Sequence, residues 1–205
     1  MRHFVVVGQK ATASADFLLD DLPGSSGRLD VLLRCVRAAM LVSHGVRRDA
    51  VVYLVLGGSS MAPRTVKIAG TDAAFLRPDE RSLGILIKKV LAISGPPDGQ
   101  FAVVRPGISL AQRGLDAVLE DLGDARLFVL DERAPDLRGE AALGGGDSAF
   151  FVGDHLGFDD TTRSVLSSLG ARPIGLGPVS LHAEDAITLV SNELDRREGA
   201  GRAGP

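Results

Sequence analysis

Two stretches in the last third of the chain, AFFVGDHLG at residues 149–157 and PIGLGPVSL at residues 173–181, each run from an apolar segment into a glycine-containing turn. The apolar segments have the length and composition of buried strands. Glycine after a strand lets backbone groups approach a planar ligand, because no Cβ intervenes. If both strands are parallel, the turns meet at the sheet edge where α/β proteins bind ligands. Two ordinary tight turns remain the alternative interpretation.

The rest of the chain alternates apolar strands with amphipathic helices. Strands are predicted at residues 2–7, 51–56, 127–130, 149–152 and 173–176, with 64–69 a possible neighbour of 51–56. Helices are predicted at residues 29–40 with Ser26 as a cap, from 78–81 to about 90, at 115–122 and 162–169, and from 183 onward. Residues 94–107 and 135–148 are predicted loops. This alternation predicts an α/β fold with a largely parallel sheet.

Length and composition favour a single domain over residues 1–197, followed by a flexible tail at 198–205. The lone Cys35 can form no internal disulfide, and four histidines without a second cysteine do not build a common zinc site. No apolar stretch approaches the length of a membrane span, and the run near the start is too short for a secretory signal. We expect a cytoplasmic protein without metal or membrane attachment.

Charge is unevenly distributed along the chain. Residues 1–115 carry 15 Lys and Arg against 9 Asp and Glu, a net +6, while residues 116–205 carry a net −9. A phosphate-binding surface is therefore expected on the first half, unless the two halves are simply solvated faces of opposite bias. Eight Phe, one Tyr and no Trp argue against nucleic-acid binding through rows of stacked aromatic rings.

Several common enzyme motifs are absent. The run Gly175-Leu176-Gly177-Pro178 lacks the third glycine of a dinucleotide-binding turn, and Pro178 has no N–H to offer a pyrophosphate. Neither a P-loop nor a nucleophile elbow of serine hydrolases is present. The pairs Asp154-His155 and His182-Glu184 are candidate catalytic groups, although polar caps at strand ends and helix starts explain them more simply.

Five motifs resemble those of one known family. LPGSSGRLD at 22–30, SHGVRRD at 43–49, PDER at 78–81, GDHLG at 153–157 and LGPVSLHA at 176–183 are similar, in order and approximate spacing, to the archaeal tRNA (pseudouridine-54, N1)-methyltransferases called TrmY. The resemblance runs from residue 1 to about 197 and is weakest between 95 and 148.

The resemblance implies the fold and a cofactor. It implies a SPOUT methyltransferase fold, a sheet flanked by helices with a C-terminal trefoil knot, and a homodimer. In this superfamily the knot loops hold S-adenosylmethionine, which accounts for the two glycine turns. Some family members carry cysteine at the position of Ala186. The implied cofactor-binding residues are Leu130, Gly153, Ile174, Gly175, Leu176, Gly177, Pro178, Val179 and Ala186.

The implied reaction is methyl transfer to N1 of pseudouridine in tRNA. Asp79 is our candidate base, and Arg28 our candidate for stabilising ring or phosphate charge. The expected RNA contacts are Arg47, Arg48, Arg77, Arg81, Lys88 and Lys89, which lie in the basic half near these motifs. A SPOUT methyltransferase acting on another RNA, at a ribosomal pseudouridine or a 2'-hydroxyl, and a non-catalytic RNA-binding factor are the alternatives.

Overall fold

Strand β1, near the N-terminus, lies in the middle of a mixed sheet in the computed structural model, which describes residues 1–60, 63–74, 76–96, 98–143 and 145–202. Within these residues the main sheet has eight strands in the order β10-β8-β9-β1-β4-β5-β7-β6. The strands, including a small separate hairpin of β2 and β3, are β1 (Arg2–Gly8), β2 (Leu41–Val42), β3 (Gly45–Val46), β4 (Ala50–Leu56), β5 (Arg64–Ala69), β6 (Ala102–Arg105), β7 (Ile108–Ala111), β8 (Arg126–Leu130), β9 (Ser148–Gly153) and β10 (Arg172–Ile174).

Helices cover both faces of this sheet. They are α1 (Leu22–Ser25), α2 (Leu29–Met40), α3 (Glu80–Leu91), α4 (Leu115–Leu122), α5 (Asp160–Ser168) and α6 (Ala183–Arg202), with short 3-10 turns at Leu19–Asp21 and Leu137–Gly139. Alternate residues of β1 point to opposite faces: Phe4 joins the larger core with residues of α2, α3 and α6, and Val5 joins a smaller core with residues of α4 and α5. Both residues are fully buried.

Five neighbouring strands are parallel, and their carboxyl ends form one edge of the main sheet. β4, β1, β9, β8 and β10 pair in parallel, whereas β5, β7 and β6 continue the sheet in antiparallel fashion. The carboxyl ends of the five parallel strands therefore share one edge of the sheet, so the segments following β8, β9 and β10 begin side by side. The predicted α/β class is confirmed, with three antiparallel strands at one side.

Two boundaries and one loop differ from the sequence prediction. The predicted loop at residues 94–107 is wrong over β6, which pairs with β7 across a turn at Pro106 and Gly107, so that Val103 and Val104 lie in an edge strand. β10 ends at Ile174 rather than at 176 because the backbone of Gly175 bonds to another segment. The N-cap of α2 is Arg28, although the Ser26 hydroxyl still accepts a hydrogen bond from the Leu29 amide at 3.1 Å.

The last helix continues past residue 197. Residues 198–202, assigned above to a flexible tail, continue α6 to Arg202, and residues 203–205 lie outside the described part. Two buried or half-buried arginines hold this end: Arg2 contacts Glu198 at 3.4 Å, and Arg197 donates to the carbonyl oxygen of Glu140 at 2.7 Å. These tertiary contacts extend a helix that composition alone would end earlier.

The loop after β8 pairs with the residue that follows β10. The amide of Gly175 donates to the carbonyl oxygen of Pro135 at 2.7 Å, and the amide of Leu137 donates to the carbonyl oxygen of Gly175 at 2.8 Å. A Cβ on Gly175 would lie 2.4 Å from the carbonyl oxygen of Ala134. The two segments are therefore in direct backbone contact.

In the described part of the chain, no helix is long and apolar enough to span a bilayer.

Replacing Gly175 with alanine is expected to destabilise the fold. The new methyl group would collide with backbone rather than with a mobile side chain, and such overpacking costs about 1–3 kcal/mol of unfolding free energy. Gly139, in the same loop region, has no atom within 4 Å of a built Cβ, so Gly139→Ala should change stability by less than about 0.5 kcal/mol. Denaturant unfolding of both variants measures the difference, and equal stabilities would contradict the proposed contact.

Candidate functional site

A cavity of about 860 Å³ opens at the carboxyl edge of the parallel strands. Its walls come from residues 130–133 at the end of β8, residues 152–158 at the end of β9, and residues 179–184 leading into α6, together with the start of α2. Its volume is in the range of small-molecule sites. The two glycine turns quoted first above are therefore brought to the same cavity.

Most of the predicted cofactor residues line this cavity. Lining positions are Leu130, Gly153, Ile174, Leu176, Gly177, Val179 and Ala186. Gly175 lies between two lining residues and packs against Ala134, and Pro178 likewise lies between Gly177 and Val179. The structure thus gathers the predicted set, from three separate strand ends and one helix, around one space.

A buried carboxylate holds the first turn. The Asp154 side chain, 1 % exposed, accepts hydrogen bonds from the amides of Gln9 at 3.0 Å and Leu156 at 2.8 Å. The Gln9 side chain donates to the carbonyl oxygen of Gly157 at 2.9 Å. A Cβ on Gly153 would lie 2.7 Å from the Gly157 backbone, so this turn closes only around glycine. The Asp154 carboxylate therefore has a structural role. His155 Nδ1 lies 3.9 Å from this carboxylate, which is too far for a hydrogen bond.

The second turn is held from the β8 side. The amide of Asp131 donates to the carbonyl oxygen of Ile174 at 3.0 Å, which fixes residues 131–133 beside the end of β10. Gly177 has φ +124°, a conformation that side chains disfavour, and open space around its Cβ position. Three apolar side chains at the cavity remain exposed: Leu156 at 44 %, Val179 at 68 % and Leu181 at 39 %.

A network of charges stands at the start of α2, on the cavity wall. The Asp30 side chain, 3 % exposed, accepts from Arg28 Nε at 3.0 Å and from Arg34 Nη1 at 3.1 Å. Arg34 also contacts Glu184 of α6 at 2.8 Å and Glu80 of α3 at 3.3 Å. Burial favours a higher pKa for Asp30, but the hydrogen bonds from the two arginines outweigh it and lower the pKa below its ordinary value.

Arg28 has an unusual backbone. Its φ is +69°, and it is the only non-glycine with positive φ in the described part of the chain. Arg28 is a lining residue of the cavity, and a hydrogen bond and charge attraction from Asp30 raise the pKa of its guanidinium. The predicted catalytic arginine therefore lies at the cavity, in a fixed orientation.

Asp79, the predicted base, lies outside the cavity lining. It is exposed, and its carboxylate accepts a hydrogen bond from the Ser82 amide at 2.8 Å, which caps α3 and lowers the pKa of Asp79. Its neighbour Glu80 contacts Arg34, a lining residue, so the start of α3 stands close to the cavity wall. The geometry shows the capping role directly, and the role as base stays a prediction.

The six predicted RNA contacts divide into two groups. Arg47 forms a two-point pair with Asp195 at 2.8 and 2.9 Å, Arg48 donates to the carbonyl oxygens of Gly70 and Thr71, and Lys88 donates to the carbonyl oxygen of Phe17. Arg77, Arg81 and Lys89 are exposed, with Arg81 paired to the exposed Asp20. Arg48 is exposed as well, so exposure does not fully separate the groups, and RNA binding by all six residues stays a prediction.

Sequence reasoning missed Arg34, Arg133 and Arg163 at the cavity, and Asp30, which binds Arg34 from behind the lining. Arg34 and Asp30 are four residues apart on one helix, and that spacing places opposite charges together. The sequence places both side chains away from the apolar stripe of the helix, but it does not show which other helices they meet. The described residues contain no group of three or more His, Cys, Asp or Glu side chains arranged to hold a metal ion, so the structure offers no candidate metal centre there.

Comparison with known proteins identifies the family. The family model of putative SAM-dependent RNA methyltransferases matches residues 1–199. The chain belongs to this family. It is 41 % identical to the tRNA (pseudouridine(54)-N(1))-methyltransferase of Methanosarcina mazei over 97 % of this chain and 92 % of the relative. It is equally similar, at 41 %, to the Halobacterium salinarum protein of the same name, over 95 % of this chain and 96 % of that one.

A solved structure confirms the expected fold. Nep1 of Archaeoglobus fulgidus, bound to S-adenosylhomocysteine, superimposes with a TM-score of 0.63 over 97 % of this chain and 99 % of that chain, at 16 % sequence identity. At this identity the likeness shows the fold alone, a sheet flanked by helices as the resemblance implied, and the trefoil knot stays a prediction. The family membership, and not this superposition, carries the argument about chemistry.

Proposed function

We propose that this member of the SAM-dependent RNA methyltransferase family transfers a methyl group from S-adenosylmethionine to N1 of pseudouridine at position 54 of tRNA. The observation that carries the proposal is 41 % identity over 97 % of the chain to a relative named for that reaction. The cavity at the strand ends supplies a site of suitable size and chemistry.

The residues around the cavity fit this cofactor. Planar adenine suits a space walled by backbone from Leu130, Gly153 and the turn at 175–179, because glycine allows close approach. The amino-acid part of the cofactor carries an ammonium and a carboxylate. Charges of both signs at the cavity complement these two groups, from Asp131, Glu132 and Arg133. When bound, the cofactor supplies an electrophilic methyl on its sulfonium sulfur.

The protein contributes by aligning the nucleobase and by accepting the proton from N1. N1 of pseudouridine gives up its proton to a base and forms a bond to the methyl carbon, while the bond from carbon to sulfur breaks and S-adenosylhomocysteine leaves. Asp79, a carboxylate that is ionised at neutral pH, is the proposed acceptor of that proton. Arg28 is proposed to stabilise negative charge on the ring carbonyl groups.

The RNA is proposed to approach across α3. Arg77, Arg81 and Lys89 lie exposed along the start and outer face of this helix, whose first residue touches Arg34. Lys88 of this helix donates to the carbonyl oxygen of Phe17, while Arg47 pairs with Asp195 of α6 and Arg48 donates to the carbonyl oxygen of Gly70. Such a surface binds folded RNA through phosphates and shape, which agrees with the low aromatic content.

Three further features complete the proposal. The backbone contacts between the 131–137 loop and Gly175 support the threading of the chain after β10 into a trefoil knot. Exposed Leu156, Val179 and Leu181 at the cavity support a homodimer in which a second copy covers them. A tRNA-modifying enzyme of one domain over residues 1–197 is proposed to act in the cytoplasm.

Asp79→Asn separates the proposed base from the observed cap. Asparagine caps a helix about as well as aspartate, so stability should change by less than about 1 kcal/mol, while loss of a general base lowers kcat by roughly a hundredfold or more. Steady-state methylation, thermal unfolding and cofactor titration measure the three quantities. Cofactor affinity should be unchanged.

Asp159→Asn is the matched control for that variant. Asp159 caps α5 by accepting from the Thr162 amide at 2.7 Å, it does not line the cavity, and its replacement should leave kcat at the wild-type value. Wild-type turnover by Asp79→Asn would reject Asp79 as the base and leave it a helix cap.

The function itself is tested with labelled S-adenosylmethionine and two matched tRNA transcripts, one with pseudouridine at position 54 and one with uridine. Nucleoside mass spectrometry should find N1-methylpseudouridine in the first and no methylation in the second, because uridine presents a carbon-linked proton where pseudouridine presents N1–H. Methylation of uridine, or of another position in both transcripts, would contradict the proposal.

A further inference from the structure

We propose that Asp30 is a positioning residue for methyl transfer: it holds the guanidinium of Arg28 in one orientation against the methyl-accepting ring. The inference rests on the proposed function and assigns a role to a residue outside the predicted site. Asp30 itself is buried behind the cavity wall and reaches the reaction through Arg28.

The contact between the two side chains fixes the guanidinium plane. Arg28 Nε lies 3.0 Å from Asp30 Oδ1, and Arg28 Nη2 lies 3.1 Å from Asp30 Oδ2. This two-point contact uses two of the five N–H groups of the guanidinium. Three N–H groups remain for a ligand, on a side chain that is 41 % exposed and lines the cavity.

The position of the Arg28 side chain depends on Asp30 more than the position of the Arg34 side chain does. In the described part of the chain, Asp30 is the only hydrogen-bonding partner of the Arg28 side chain, whereas Arg34 also holds Glu184 at 2.8 Å and Glu80 at 3.3 Å. Removing the charge of Asp30 therefore releases Arg28 and leaves Arg34 attached to two other helices. The consequence should be local to Arg28.

The backbone supports a functional reason for this geometry. Arg28 adopts a left-handed conformation that residues with a Cβ disfavour, and Gly27 before it is also left-handed at φ +63°. Disfavoured conformations persist where neighbouring contacts impose them, and they concentrate at functional sites. Here the conformation aims a long side chain at the cavity rather than along the helix.

The chemistry benefits from a fixed cation at this point. As N1 loses its proton, negative charge spreads onto the ring carbonyl oxygens, and planar N–H donors already in place stabilise that charge without first reorganising. Arg28 neither gives nor takes a proton in this step. Its effect should fall on kcat, because the charge is larger in the transition state than in the bound ground state.

The test measures kcat and KM for pseudouridine-containing tRNA, with cofactor affinity by calorimetry, in Asp30→Asn, Arg28→Lys and the double variant. Asp30→Asn should lower kcat by roughly a hundredfold, as expected when a catalytic group is misplaced, with little change in KM or in cofactor affinity. Arg28→Lys keeps the charge but loses the two-point contact, so it should lower kcat similarly. The double variant should be no worse than either single one.

Asp136→Asn is the matched control. Asp136 binds Arg138, also two residues later, through Nε at 2.9 Å and Nη2 at 2.6 Å, but neither side chain lines the cavity. Its replacement should leave kcat unchanged. If the buried Asp30→Asn protein does not fold, the half-exposed Arg28→Lys decides alone.

Three results would each overturn the inference. They are a wild-type kcat in Arg28→Lys, losses of kcat that multiply in the double variant, and a rise in KM without a fall in kcat. The last result would mean that Arg28 holds a phosphate rather than the reacting ring. A wild-type protein without turnover on this RNA would overturn the proposed function and the inference together, whereas wild-type turnover with unaffected variants would overturn the inference only.

Discussion

The parallel pairing of β1 with both β4 and β9 is the constraint on which the rest of the structure depends. β1 is buried along its whole length, and on the β9 side the parallel pairing continues to β8 and β10. Parallel pairing places successive carboxyl ends at one edge. The cavity exists because the chain leaves three adjacent strands there and does not continue as regular structure.

Two kinds of interaction then shape that edge. Backbone hydrogen bonds and the buried carboxylate of Asp154 set the glycine turns, where close contacts exclude larger residues at Gly153 and Gly175. Charge pairs centred on Asp30 and Arg34 connect the starts of α2, α3 and α6 beside the turns. The first set forms a surface for a planar ligand, and the second brings cations to the same space. A methyl donor and an anionic RNA need these two properties together.

The elements that sequence predicted well have strong local periodicity. α2 and α4 begin and end at the predicted residues because their apolar stripes are regular and bounded by turn residues. The hairpin of β6 and β7 was missed because Gly and Pro dominate its surroundings, and its pairing with β5 is a tertiary event. The length of α6 was underestimated for a similar reason, since Arg2 and Arg197 hold its end from elsewhere in the chain.

The same distinction applies to the candidate site. Glycine turns after apolar strands could be recognised from local sequence as candidates for a ligand site, and the resemblance of the motifs suggested the ligand. The hydrogen bonds of Asp30, and the capping geometry of Asp79, depend on side-chain directions in three dimensions. Arg28 could be chosen from a motif, but its left-handed backbone and its fixed guanidinium could not.

Calorimetric titration of S-adenosylhomocysteine into Ala186→Phe and Thr188→Phe tests the central claim most directly. Ala186 is 7 % exposed and lines the cavity, whereas Thr188 is exposed on the same helix and does not line it. If the turns after β9 and β10 form the cofactor site, the ring at 186 occupies the ligand's space and weakens binding by about a hundredfold or more, roughly 2.7 kcal/mol, while the ring at 188 has no effect. Wild-type affinity in Ala186→Phe would show that the cofactor binds elsewhere and would contradict the account.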